Sequence, residues 1–116
     1  MSLHSAKAFR TYVTSLPAVT LVEQWDAHVA KVGGKVFALC GEDGGHITFK
    51  VTELSFDGLT SLEGIGQAPY FAKRAWVSVA KGAPLNDREL KAYLKASHEL
   101  IAAKLTRKLR AELGLD

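Results

Sequence analysis

Histidine and cysteine are the first residues to weigh, because imidazoles and thiols ligate metals and move protons near neutral pH. His4, His28, Cys40, His46 and His98 are scattered along the chain. No two of them stand at the Cys-x-x-Cys or His-x-x-x-His spacing of a zinc site, so no metal is expected. No serine occupies a Gly-x-Ser-x-Gly elbow. Cys40 lies within an apolar run, where burial raises a thiol pKa instead of activating the sulfur. Glu42 and Asp43 share the Gly41–Gly45 segment, a solvated loop tip and not two walls of a cleft. Gly64-x-Gly66 leads towards a strand and lacks the Gly-Lys-Ser/Thr that completes a phosphate cradle. The residues point away from catalysis and away from a cofactor, and the chain is expected not to be an enzyme.

Cations and aromatics offer more. Lys104, Arg107, Lys108 and Arg110 cluster near the C-terminus. On a helix they complement the macrodipole, worth about 0.3–1 kcal/mol each, or they form an electrostatic footprint for phosphates. Lys50 lies on the polar side of an alternating strand, opposite Ile47, Phe49 and Val51. Ala75, Val77 and Val79 alternate with Trp76 and Ser78, just after Lys73 and Arg74. If the apolar set faces the core, Trp76 projects from the open face of the sheet. There it either stacks on a nucleic acid beside those cations or covers the sheet together with the stems of long side chains. Lys31 and Lys35 flank Gly33-Gly34 like a basic wing. Two-residue pairing nevertheless sets Lys31 opposite Val36 and Lys35 opposite Val32, on opposite faces unless a bulge shifts the register.

The elements that must position these residues follow from periodicity. Ser5–Leu16 carries a helical stripe of Ala8, Phe9, Tyr12, Val13 and Leu16, stopped by Pro17. Thr20–Trp25, His28–Val32, Lys35–Cys40 and His46–Val51 are short runs with strand composition, separated by turn residues. Gly33-Gly34 suits a tight hairpin, and Gly41–Gly45 a longer and more mobile one. Leu54–Glu63 is expected to be helical, with Ser55 as N-cap and Gly64 as stop. Residues 64–69 are expected to form a loop, followed by a strand over Ala75–Val79. A long final helix capped by Asn86 or Asp87 buries Leu90, Tyr93, Leu94, Ser97, Ile101, Leu105 and Leu109. The order α-β-β-β-β-α-β-α gives an α+β fold, an antiparallel sheet backed on one face by the N- and C-terminal helices.

The 116 residues suit one domain spanning 1–116, and 47% apolar against 23% charged residues is ordinary for a globular protein. No apolar run approaches the roughly 20 residues of a membrane span. The first residues lack the pattern of a signal peptide, and a lone cysteine forms no internal disulfide, so a cytoplasmic location is expected. The net charge of +3 is uneven. Residues 1–60 hold five basic and six acidic side chains, whereas the rest hold ten and six. That excess permits attraction to polyanions without demanding it.

The series Leu16-Pro17, Trp25, Val32-Gly33-Gly34-Lys35-Val36-Phe37-Ala38, Phe49-Lys50, Ala68-Pro69-Tyr70, Trp76-Val77 and the Ser97-containing final helix resembles the MmcQ/YjbR family of small bacterial proteins. The resemblance implies a fold similar to CyaY and frataxin, and DNA binding through a double-wing arrangement. Where that family has Ser-Tyr in the last helix, this chain has Ser97-His98. Iron binding of the frataxin kind uses an acidic first helix, whereas Ser5–Leu16 carries Lys7, Arg10 and no carboxylate. Two functions are therefore expected in turn. The first is a non-enzymatic DNA-binding domain in which Lys31, Lys35, Lys50, Lys73 and Arg74 contact phosphates and Trp76 stacks. The second is a protein- or small-ligand-binding module that uses Tyr70, Phe71 and Trp76 at the Ala68-Pro69-Tyr70 loop. A monomer is favoured.

Overall fold

Six strands form one antiparallel sheet in the computed structural model, which describes residues 2–115. The chain runs through α1 (Ala6–Thr14), β1 (Val19–Gln24), β2 (Ala27–Val32), β3 (Lys35–Gly41), β4 (Ile47–Lys50) and α2 (Glu53–Thr60). It continues through β5 (Ile65–Gln67), β6 (Trp76–Val79), α3 (Asp87–Ala102) and α4 (Arg107–Glu112). The strand order is β1-β2-β3-β4-β6-β5, so β4 and β6 are neighbours across the α2–β5 excursion. Helices α1 and α3 pack on β1 to β4, and α2 packs on β5 and β6. Phe37, Ile47, Phe49, Val77 and Val79 from the sheet meet Phe9, Val13, Leu90 and Leu94 from the helices in a shared core.

Local chemistry explains the helix starts. The Ser5 hydroxyl accepts from the Ala8 N–H to begin α1, and Asn86 and Glu89 close a reciprocal capping box on α3. α2 begins at Glu53, because the Thr52 hydroxyl accepts from the Ser55 N–H; Thr52, not Ser55, is the cap. Two elements depart from the expected order. Ile65–Gln67 is a strand, not a loop, pairing Ile65 with Val79, Gly66 with Ser78 and Gln67 with Val77. Three residues containing a glycine show no alternation, so only the partner strand reveals this edge. The final helix also breaks after Ala102, and Thr106 caps a separate α4 through the Leu109 N–H. Leu105 at the break is buried nonetheless, seated against Gly33.

The β2–β3 pairing holds the expected Lys31–Val36 and Val32–Lys35 partners around Gly33-Gly34. Beyond them the register shifts between Ala30 and Lys31, leaving Phe37 as a bulge residue with no partner on β2. Phe37 turns its ring edge-on to His98 at 5.2 Å. The bulge also ends the β3–β4 ladder at Ala38–Phe49. In the gap beyond, the Ser97 hydroxyl accepts from the Lys50 N–H at 2.9 Å and donates to the Phe37 carbonyl at 2.6 Å. One side chain from α3 thus replaces a rung of the sheet.

Candidate functional site

The sheet face turned away from α1 and α3 forms a concavity of about 880 Å³. Its floor is a row in cross-strand register, Leu39 on β3, Thr48 on β4 and Ser78 on β6. One wall is the β1–β2 hairpin with Trp25 and Asp26, and the other is the Pro69-Tyr70-Phe71 turn. His46 adds an exposed imidazole at the start of β4.

Both walls carry an aromatic residue on unusual backbone. Trp25 and Asp26 form the two-residue link between β1 and β2 with φ of 56° and 55°, the left-handed pair that such hairpins require. Asparagine and glycine are the usual occupants. Tyr70 follows Pro69 with φ of 69°, again where glycine is usual after a proline turn. The Trp25 residue is 65% exposed, and Tyr70 is fully exposed. A bulky side chain in this region costs about 1 kcal/mol or more, and at both positions most of the residue stays in contact with solvent.

Gln67 organises the Tyr70 wall. Its side-chain amide donates to the carbonyls of Ala68, Phe71 and Ala72, and its carbonyl oxygen accepts from the Arg74 N–H at 2.9 Å. The loop therefore folds back over β6, and Phe71 stacks on Trp76 with ring centroids 4.3 Å apart. This overturns the expectation of an exposed indole. Trp76 is only 8% exposed and belongs to the hydrophobic core, because the 68–75 loop lies over the strand that was to present it. Tyr70 and Phe71 do line the cleft, with Trp76 backing Phe71 from beneath.

The expected cations disperse. Arg74 lies with its guanidinium bound to Asp57 at 2.8 and 2.9 Å and to Glu53 at 3.0 Å, above the Phe56 ring. Hydrogen bonds to Glu53 and Asp57 push its pKa up. Arg74 therefore ties the loop to α2, its Nε and one Nη already bonded to two carboxylates of that helix. Lys31 and Lys35 fall on opposite faces through their Val36 and Val32 pairings. Lys73 is exposed on the loop. Lys50 is beside Trp76 in register, but its side chain lines a groove against α3 and not an open patch around an indole.

The remaining chemistry-bearing residues serve the fold. Burial pushes the Cys40 thiol up to about 11, so it is not a nucleophile near neutral pH. The His98 Nε2–H donates to the Pro17 carbonyl at 2.7 Å, tying α3 to the end of α1. The Gly45 N–H donates to the His4 carbonyl, and His4 Nδ1 bonds the Gly45 carbonyl at 2.6 Å. The 41–45 hairpin is thus pinned to the N-terminus. Among the described residues no three His, Cys, Asp or Glu side chains gather to hold a metal, and no helix is long and apolar enough to cross a membrane. Of the cleft residues, Trp25, Asp26 and His46 were not legible as a site. Trp25 passes for the end of a strand until the structure shows that only two residues separate Gln24 from the start of β2 at Ala27.

Comparison with known proteins adds a family and a fold. The YjbR family model matches residues 14–100. A Deinococcus radiodurans protein with a DUF419 domain superposes with a TM-score of 0.86 at 22% identity, covering 98% of this chain and 91% of its own. A Pseudomonas syringae protein superposes with a TM-score of 0.67 at 21% identity, covering 81% of this chain and 96% of its own. No curated protein matches the sequence.

Proposed function

Given that the chain belongs to the YjbR family, we propose that it is a non-enzymatic binding module that takes a small, flat, aromatic ligand in the cleft between Trp25 and Tyr70. The observation that carries this reading is the pair of exposed aromatic side chains on left-handed backbone facing one concavity. About 880 Å³ lies within the usual 300–1,000 Å³ of small-molecule sites. The floor supplies the few polar groups such sites use, with hydroxyls at Thr48 and Ser78, and His46 and Asp26 near the rim. Stacking between two aromatic walls holds a planar ring, and the hydroxyls orient its polar edge.

The likeness to CyaY and frataxin implied by the sequence belongs to this reading as a scaffold only, since fold alone carries no function. The DNA-binding alternative rests on the family resemblance and on Lys31, Lys35, Lys50 and Lys73. Without Trp76 and Arg74 it lacks both its stacking surface and its best bidentate donor.

A screen of heteroaromatic acids and amides tests the cleft, read by intrinsic fluorescence and thermal shift. Trp25 is the exposed tryptophan and Trp76 the buried one, so a bound ring quenches an emission that Trp25→Phe removes. A hit should raise the melting temperature, and Trp25→Ala or Tyr70→Ala should weaken it about tenfold or more, as for loss of a stacking partner. If no compound moves either signal, or if hits survive both substitutions, the cleft is not the site.

A further inference from the structure

The two edges of the sheet are unlike. β5 is three residues long, and shortness is one ordinary way of keeping an edge from pairing. β1, at the other edge, runs six residues as Val-Thr-Leu-Val-Glu-Gln in unbroken register with β2. It holds no proline, lysine or bulge, the other common guards of an edge that stays single. Its link to β2 has two residues, so the ladder closes on a hydrogen-bonded pair, Gln24–Ala27, and bonded pairs alternate from there. The backbone groups of Thr20, Val22 and Gln24 therefore turn to β2, and those of Val19, Leu21 and Glu23 turn outward. Among the described residues no other segment bonds to them.

Charge at this edge is split between two places. Glu23 is the one charged side chain of β1, 70% exposed, with His28 Nδ1 standing 3.9 Å away. Leu21 lies on the same face of the strand, in a groove with Lys7, Arg10, Thr11 and Thr14 of α1. No carboxylate lines that groove, and neither Lys7 nor Arg10 has an ion pair among the described residues. The strand thus carries a carboxylate about 7 Å along from cations that lack one.

We propose that β1 is the interface for a second copy of this chain, which adds its own β1 antiparallel across a two-fold axis at Val22 and continues the sheet. The protein is then a dimer, in place of the monomer favoured by the sequence. Facing residues of an antiparallel pair share a face, so the axis must sit on a residue and not between two. At Val22 it brings Glu23 of the second copy opposite Leu21, beside Lys7 and Arg10, and symmetry repeats the contact with the roles exchanged. Leu21 and Glu23 are also the residues whose backbone groups turn outward, so these facing pairs are the hydrogen-bonded ones. Val22 meets its own copy on the open face, and Thr20 meets Gln24. An axis at Leu21 would set Glu23 opposite Val19, about 7 Å further along, so charge selects Val22. The occupant is a second copy because the same strand supplies the carboxylate that its neighbouring groove lacks.

Sedimentation from about 1 μM to 1 mM provides the first test, and the mass should rise to that of a dimer. Arg10→Glu and Glu23→Arg should each weaken the dimer about tenfold or more, as like charges meet, and the double variant should recover it. Both positions are exposed, and circular dichroism checks that each variant is folded. The register is read by cross-linking. Val22 and its copy form a non-bonded pair with Cα atoms about 4.5 Å apart, within disulfide reach. Val22→Cys should therefore link under mild oxidation and Thr20→Cys should not, while the native Cys40 is buried. A monomer at every concentration, equal linking at both positions, or a double charge reversal no tighter than the single ones would each overturn the proposal.

Discussion

At the scale of single residues, Ser97 does the work of a sheet rung. Its hydroxyl satisfies the Lys50 N–H and the Phe37 carbonyl where the Phe37 bulge has parted β3 from β4. The residue is completely buried, so no water replaces it. Ser97→Ala leaves a donor and an acceptor unmet, at about 1–3 kcal/mol for each such group. The expected loss in urea denaturation is about 2–4 kcal/mol with an unchanged slope. A loss below about 0.5 kcal/mol, within the range of an ordinary surface change, would show that the hydroxyl is not needed. Arg74 is the opposite case. Its geometry is good, but its side chain is 51% exposed, and exposed pairs contribute only about 0–1 kcal/mol. Its role is to hold a loop in place more than to hold the fold together.

At the scale of elements, the two hairpins bounding β2 use the same backbone with opposite residue chemistry. Gly33-Gly34 takes φ of 58° and 79°, conformations open to glycine without strain. Trp25-Asp26 takes nearly the same angles with two side chains. Trp25→Asn puts a residue that tolerates the left-handed region at an exposed position. It is expected to stabilise the protein by about 0.5–1 kcal/mol while weakening any ring-stacking ligand. Chemical denaturation beside ligand titration measures both effects. A variant that is destabilised would mean Trp25 contributes packing, and the strain argument for the cleft would fall. The α3–α4 break belongs to this scale too. It lets Leu105 drop into the core under the hairpin, which an unbroken helix over the same residues would carry elsewhere.

At the scale of the whole molecule, one sheet separates a helix-covered face from an open, concave one. Cys40, at 0% exposure on the covered side, reports on the integrity of that arrangement. Its thiol is buried and raised to about 11, so it reacts only when the protein opens. Labelling by a thiol reagent at pH 8 is expected to follow the global unfolding equilibrium, with denaturant dependence equal to the global slope. Rapid native labelling would instead reveal local opening of β3. The 41–45 hairpin, expected to be mobile, is fastened through His4 and Gly45, which holds the end of β3 beside the cleft.

Local pattern determined most of the architecture. The apolar stripe of Ala6–Thr14, the alternation of Ile47–Lys50, the Gly33-Gly34 turn and the Asn86 cap are statements about neighbours in the chain, and helix and strand periods make such statements legible. The edge strand Ile65–Gln67 was not legible, because three residues have no period and exist as a strand only through Val77–Val79. Tyr70 and Phe71 were readable as a site from their clustering. Trp25, Asp26 and His46 join them only because residues more than 20 positions away in sequence share one sheet face. The same reason decides Trp76 and the lysines. Whether a side chain on a strand meets water depends on what else folds over it, and a loop held by Gln67 covered the indole. Whether cations converge depends on where distant elements dock, and Lys50 comes to a groove against α3 while the indole it was to flank is buried. Periodicity is a property of the chain; coverage and convergence are properties of the packed molecule.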